Sequence, residues 1–243
     1  MSREFFILCS RLIPQYARRR VRYWLLRLLN PGRYLELRTL RQIEGEYSLR
    51  GFDRNRCIFI HIPKCSGIAI NKSLFQNNGG GHLTLTQYSF AFTPAEFDRY
   101  FKFTVVRHPL DRLVSTYFFL KSGGFDTEDA KWSLENLSGI RSFEEFVLEW
   151  LTEDRIWSKT HLVPQHWFLE DCWGEIPLDF IGRYEQLSSD FGYIRQVLDR
   201  PDVELVRLNQ SKHRPYSEYY NKETSRKVAE LYSKDMALFG YSI

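Results

Sequence analysis

A chain of 243 residues that is 43% hydrophobic and 16% aromatic can bury one substantial core, which excludes a disordered or fibrous protein and predicts one domain with small appendages. The net charge of +4 is unevenly spread, because residues 1–42 hold ten Arg against Glu4 and Glu36, a local +8 that leaves −4 on the remainder. A body of that sign argues against a nucleic-acid binder, which would carry a basic stripe along its folded domain.

In chain order, FFILC at 5–9 is too short to span a bilayer, which takes about 20 apolar residues, and it lacks the long apolar core and cleavage site of a secretory signal. The expectation is a protein that stays where it is made, in the cytoplasm. Residues 16–29 place Val21, Trp24, Leu25, Leu28 and Leu29 on one face of a helix, with Arg18, Arg19, Arg20, Arg22 and Arg27 mostly around the other side, and Asn30, Pro31 and Gly32 stop it. Two readings stand for this helix: it packs its apolar face on the body, or it makes peripheral contact with an anionic membrane at the inner face. Residues 1–45 read as a basic arm and 46–243 as the main domain.

Within that domain, RCIFIHI at 56–62 is an uncharged apolar run between its first residue and His61, as in a buried parallel strand, followed by a loop to Gly67 and a helix over 68–75. The same order recurs, with a strand at 102–106, a turn at RHP and a helix over 110–121. Residues 122–140, rich in glycine and acids, read as a polar loop, 142–151 as a helix, 177–187 as a short strand running into a charged turn and helix, and 222–238 as one amphipathic helix. Alternating strands and helices predict an α/β domain, a P-loop-like three-layer fold whose central, mainly parallel sheet is flanked by helices. Cys9, Cys57, Cys65 and Cys172 are scattered, with no pair of metal-ligand spacing, so no metal is expected, and three of them, set beside apolar residues, read as small buried hydrophobes.

The loop HIPKCSG at 61–67 has the parts of an anion cradle: backbone amides at a helix N-terminus, Gly67 for close approach and Lys64 as a point charge. It is not a Walker loop, because Lys64 precedes the glycine. A structural turn with a surface lysine is the plain alternative. In RHPLDRLVSTY, Arg107 ends a strand and Ser115 lies two helical turns on, a guanidinium fork plus a hydroxyl suited to a phosphate monoester. Asp111 and Arg112 read equally well as solvated charge.

A strand, HIPK-x-x-G and a helix, followed by a strand, RHP-x-x-R-L-x-S-x-Y and a helix, resembles the carbohydrate sulfotransferases of sulfotransferase family 2 that use 3′-phosphoadenosine 5′-phosphosulfate (PAPS), especially the group containing heparan sulfate 2-O-sulfotransferase. The resemblance runs over about 55–243. It implies sulfuryl transfer to a hydroxyl of a carbohydrate or glycolipid, with Pro63, Lys64, Cys65, Ser66, Gly67, Ile68 and Ala69 around the 5′-phosphosulfate, Arg107 and Ser115 on the 3′-phosphate, and Lys212 in a late loop. It also implies Lys64 at the leaving phosphate and His82, in GGGHLTLTQY, as base. The chain departs from the family in its first loop, where Cys65, Ile68 and Ala69 replace most of the usual hydroxyls and only Ser66 keeps one. A non-catalytic member that binds the nucleotide or a glycan is the alternative that this departure motivates. Golgi members carry a membrane anchor, which adds to the cytoplasmic expectation here.

Other residues carry plainer readings. His61 reads as a packed strand residue and His108 as a shaper of its turn. His161, His166, Trp157, Trp167 and Trp173 form an aromatic stretch that either lines an acceptor groove or is core. Lys212, His213 and Arg214 either close over the site or form a solvated turn.

Overall fold

The computed structural model describes residues 15–171, 173–206 and 214–243. Helices α1 (Gln15–Leu29), α2 (Pro31–Thr39) and α3 (Arg50–Asn55) precede strand β1 (Cys57–Ile60). Then α4 (Gly67–Phe75), α5 (Leu85–Ala91) and α6 (Pro94–Arg99) lead to β2 (Phe101–Val106). Next, α7 (Pro109–Lys121), α8 (Thr127–Leu137), α9 (Phe143–Glu145) with the π-helical turn Phe146–Trp150, and α10 (Gln165–Leu169) precede β3 (Phe180–Arg183). The described chain ends with α11 (Leu187–Val197), α12 (Lys222–Leu231) and α13 (Ser233–Phe239).

The strands form a parallel sheet in the order β1-β2-β3, with Cys57 opposite Phe101 and Phe103 opposite Phe180. All four residues of β1 are buried, which is why its sequence is an unbroken apolar run. The strand is shorter than the 56–62 run suggests: Arg56, at φ +48°, ends α3 in a left-handed turn, and the chain leaves the sheet after Ile60. Helices flank the sheet, as the alternating pattern predicts. One core surrounds the sheet, and a second is built on α7 from Leu110, Leu113, Val114 and Tyr117 packed with Phe146 and Val228. Helix α7 therefore presses the 107–115 segment between two cores, which fixes its backbone.

Three expectations change. Residues 122–140 are a loop only at their two ends, because Asp126 caps α8 by accepting the Asp129 amide at 2.8 Å and the acids that suggest a loop, Glu128 and Asp129, occupy a helix first turn that favours negative charge. The final helix is broken at Tyr232 into α12 and α13. In α1, Val21, Trp24, Leu25, Leu28 and Leu29 do not cover the core: they are exposed, and among the helix's described side chains the buried one is Tyr23, whose hydroxyl shares a 2.9 Å hydrogen bond with that of Tyr34 on α2. What fixes the arm is Leu37, buried in the sheet core, and Arg41, whose guanidinium forks onto Asp53 (2.8 and 2.6 Å) and Glu96 (both 2.9 Å).

Candidate functional site

Beyond β1 the chain passes through His61 and turns back into α4, and Lys64 and Ser66 take left-handed conformations, φ +68° and +61°, on either side of Cys65. Such angles are uncommon for residues with a Cβ and cluster at ligand sites. Ser66 stands at the N-cap of α4, yet its side chain makes no capping hydrogen bond. The first intrahelical bond into this turn is Ile70 N–H to Ser66 carbonyl (3.1 Å), so the amides of residues 67–69 are the unpaired donors of a helix start. Gly67 is a steric requirement, because a Cβ there would overlap the His61 ring.

Arg107 ends β2 on the other side. Its Nε and Nη2 donate to the two oxygens of Asp111 (2.7 and 2.8 Å), and its Nη1 donates to the Lys64 carbonyl (3.1 Å), so the second segment holds the first loop directly. The guanidinium lies 3.9 Å from the centroid of the Tyr184 ring. A guanidinium has five N–H bonds, and these contacts leave one on each Nη for an incoming anion. The Arg107 backbone is clamped by Gln165, whose amide accepts its N–H at 2.9 Å and donates to its carbonyl at 2.8 Å. Gln165 is held in turn by buried Asp235 of α13, which accepts the Gln165 and His166 amides at 2.7 and 2.9 Å and His166 Nδ1 at 2.7 Å.

Lys64, Ser66, Gly67, Ile68, Ala69, Arg107, Ser115 and His82 all line one cavity of about 1110 Å³. That volume is large for a small-molecule pocket and admits a nucleotide with part of a second substrate. Pro63 and Cys65 are not on its wall. The Cys65 thiol points into the core at 3.3 Å from Gln165 Oε1, and burial holds it protonated with a pKa pushed up to about 12. Lys212 and His213 lie outside the described residues. Arg214, which is described, pairs with Glu218 at 3.0 Å beside the cavity-lining Tyr219.

The Lys64 ammonium sits 4.2 Å from the Phe119 ring centroid. Burial, and then the nearby Arg107, lower its pKa to about 8. His82 follows Gly81, at φ +65°, and its Nδ1 is 3.1 Å from the His61 carbonyl. A carbonyl can only accept, so Nδ1 carries the proton and Nε2 keeps its lone pair. Burial lowers the pKa of His82, which keeps the ring neutral at ordinary pH.

Two more imidazoles stand on this wall, His161, from the stretch that the sequence leaves between acceptor groove and core, and His61, which it reads as a packed strand residue. His161 lines the cavity, 5.7 Å from His82 and 4.7 Å from Phe119 between ring centroids, and its buried Nδ1 has no hydrogen-bond partner. Burial and then His82 drive its pKa down to about 3. His61 also lines the cavity while stacked on Phe59, with its pKa well below the usual value through burial and the two other imidazoles. Arg112 is not solvated: it is buried, and its guanidinium points at the carbonyls of Pro63 (3.5 Å), His161 (3.3 Å), Leu162 (3.4 Å) and Val163 (2.5 Å). It thereby stitches the first loop to the segment that carries His161. That aromatic stretch contributes only His161 to the cavity, for Trp157 and Trp167 are half-exposed away from it and His166 is spent on Asp235. Among the described residues no group of His, Cys, Asp or Glu side chains is arranged to hold a metal ion.

Comparison with known proteins yields one family and a few relatives. The model of the sulfotransferase family matches residues 48–242. Carbohydrate sulfotransferase 14 of Danio rerio is 30% identical over 166 residues, which are 59% of this chain and 44% of that protein. Its Mus musculus counterpart is 26% identical over 164 residues, 59% of this chain and 43% of that one. Carbohydrate sulfotransferase 10 of Xenopus laevis is 24% identical over 237 residues, 78% of this chain and 66% of that protein. The chain spans less than half the length of the first two relatives. No solved structure matches it.

Proposed function

The chain belongs to the sulfotransferase family, and on that premise we propose that it transfers a sulfuryl group from PAPS to a hydroxyl of a carbohydrate or glycolipid. The observation that supports the reading is that one cavity is lined by Lys64 and the residues opening α4, by Arg107 and Ser115, and by His82, whose Nδ1 is turned to the His61 carbonyl. The residues fit a donor with anionic groups at both ends: the unpaired amides and Lys64 suit a phosphosulfate, and the two spare N–H bonds of Arg107 suit a terminal phosphate.

In this mechanism His82 Nε2 takes the proton of the acceptor hydroxyl as its oxygen attacks sulfur in line. The bond between sulfur and the bridging phosphate oxygen breaks, and the charge left on that oxygen is met by the Lys64 ammonium and the amides opening α4. The products are a sulfate ester and 3′-phosphoadenosine 5′-phosphate, with the proton on His82 until solvent takes it. Arg112 and Gln165 act as positioning residues, holding the first loop and Arg107.

Calorimetry with 3′-phosphoadenosine 5′-phosphate tests the donor site. Arg107→Met is expected to weaken binding by about 100-fold, since it removes charge-assisted hydrogen bonds and leaves Asp111 facing the phosphate, while unchanged affinity would refute the assignment. The pH dependence tests Lys64. Its ammonium form is needed, and its pKa of about 8 in the free protein means the charge is lost as pH rises through that value. The donor kcat/KM should therefore turn down near pH 8, and Lys64→Arg, whatever its absolute rate, should lose that limb.

A second reading rests on the first loop. Ile68 and Ala69 present apolar side chains to the cavity and Cys65 turns away, which suits a member that binds the nucleotide without transfer. Binding with no transfer to any hydroxyl would favour it.

A further inference from the structure

Helices α1 and α2 leave an apolar strip in solvent that the body does not cover. Val21 is 42% exposed, Trp24 54%, Leu28 74% and Leu29 80%, and Leu35 on α2, after the turn at Asn30, is 61% exposed. Single exposed apolar residues are ordinary, but a contiguous set on one helix pair marks an interaction face. The inner side of the pair is already engaged through Tyr23, Tyr34 and Leu37, so the exposed strip is not a core face awaiting rearrangement.

Charge decides the partner. Helices α1 and α2 contain seven arginines and one acid, Glu36, which pairs with Arg33, on a chain whose body beyond residue 42 is net negative. A second copy of the same face would bring like charges together around the apolar strip. Nucleic acid would satisfy the arginines and leave Leu28, Leu29 and Leu35 in water. An anionic bilayer surface satisfies both, with headgroups for the guanidinium groups and the acyl boundary for the leucines. Trp24, with the Arg27 guanidinium 5.2 Å from its ring centroid, has the amphipathic make-up of an interfacial anchor. The 15 residues of α1 span about 22 Å, short of a hydrocarbon core of about 30 Å, so the helix would lie in the interface plane. Among the described residues no helix is long and apolar enough to cross a membrane.

We propose that α1 and α2 form a docking face for an anionic lipid bilayer, with Trp24, Leu25, Leu28, Leu29 and Leu35 inserted at the acyl boundary and the surrounding arginines on the headgroups. The inference is independent of the chemistry assigned to the cavity. It places the enzyme body at a membrane surface, where a lipid-linked sugar would be within reach.

Flotation of the full chain with lipid vesicles tests this. The chain should float with phosphatidylcholine vesicles containing about 30% phosphatidylglycerol, roughly tenfold less with phosphatidylcholine alone, and less again in about 0.5 M salt. The Leu28→Glu/Leu29→Glu double variant should lose roughly tenfold or more in vesicle affinity. Both side chains are exposed, so its unfolding temperature should match that of the parent; Leu35→Glu, on the other helix, should act in the same direction. Failure to float with anionic vesicles, or flotation unchanged by both variants, would overturn the proposal. So would a dimer in light scattering that the double variant dissolves, because the face would then belong to a second copy of the chain.

Discussion

Replacing Lys64 with alanine is expected to lower single-turnover transfer from labelled PAPS by about three orders of magnitude, or about 4 kcal/mol of barrier, while donor affinity falls far less. The difference arises because the charge on the bridging oxygen grows only as the bond to sulfur breaks, so the ammonium is worth most in the transition state. In the ground state the donor keeps the amides that open α4 and the contacts of Arg107. Lys64 is well placed for this role: it sits at a left-handed backbone position that turns it into the cavity, and the Phe119 face holds its ammonium. Removing a largely buried charge should not destabilise the fold, so an unchanged unfolding temperature would accompany the loss. A variant that lost donor binding and rate in equal measure would show Lys64 to be a uniform binding group instead.

The His82→Asn variant should lose between about two and four orders of magnitude in rate and bind 3′-phosphoadenosine 5′-phosphate as the parent does. Asparagine can still donate to the His61 carbonyl, so the loop at 79–82 keeps its tie, but it offers no nitrogen lone pair. His161→Asn is the informative companion. Its ring is the next cavity imidazole, and if His82 is the base, loss at His161 should fall mainly on acceptor KM. Full activity of His82→Asn with a collapse in His161→Asn would move the base to His161. In the parent, burial lowers the pKa of His82, so the acid limb of kcat should lie below the usual histidine value.

The parts of the site that were legible in the sequence are those whose chemistry is local. Lys64, Gly67 and Arg107 each sit at a strand-to-helix junction that the apolar runs and following helices announce, Ser115 lies two turns into the second of those helices, and the structure brings all four to one cavity. His161 was not legible as a neighbour of His82, because its place depends on Arg112 and Thr116 of α7 donating to its backbone carbonyl, contacts that no spacing encodes. Arg112 itself looked like surface charge beside Asp111, and only the second core built on α7 makes it a buried clamp. Gln165 and Asp235 carry no motif, yet they hold the Arg107 backbone across the whole domain. Helix α8 reads as a loop in the sequence because its leading acids have loop composition, and the Asp126 cap is what makes them a helix start. In α1 the periodicity gives a stripe without giving its direction: a period of 3.6 fixes which residues share a face, while whether that face meets protein or solvent is settled by Tyr23 and Leu37 on the inner side.

Sulfuryl transfer by this cavity is tested most directly by incubating the full chain with sulfur-labelled PAPS and a panel of neutral, uronic-acid-containing and lipid-linked sugar acceptors. Label is expected in a sulfate ester, formed in step with release of one equivalent of 3′-phosphoadenosine 5′-phosphate and lost in His82→Asn. Tight binding of that nucleotide with no labelled ester on any acceptor would contradict it.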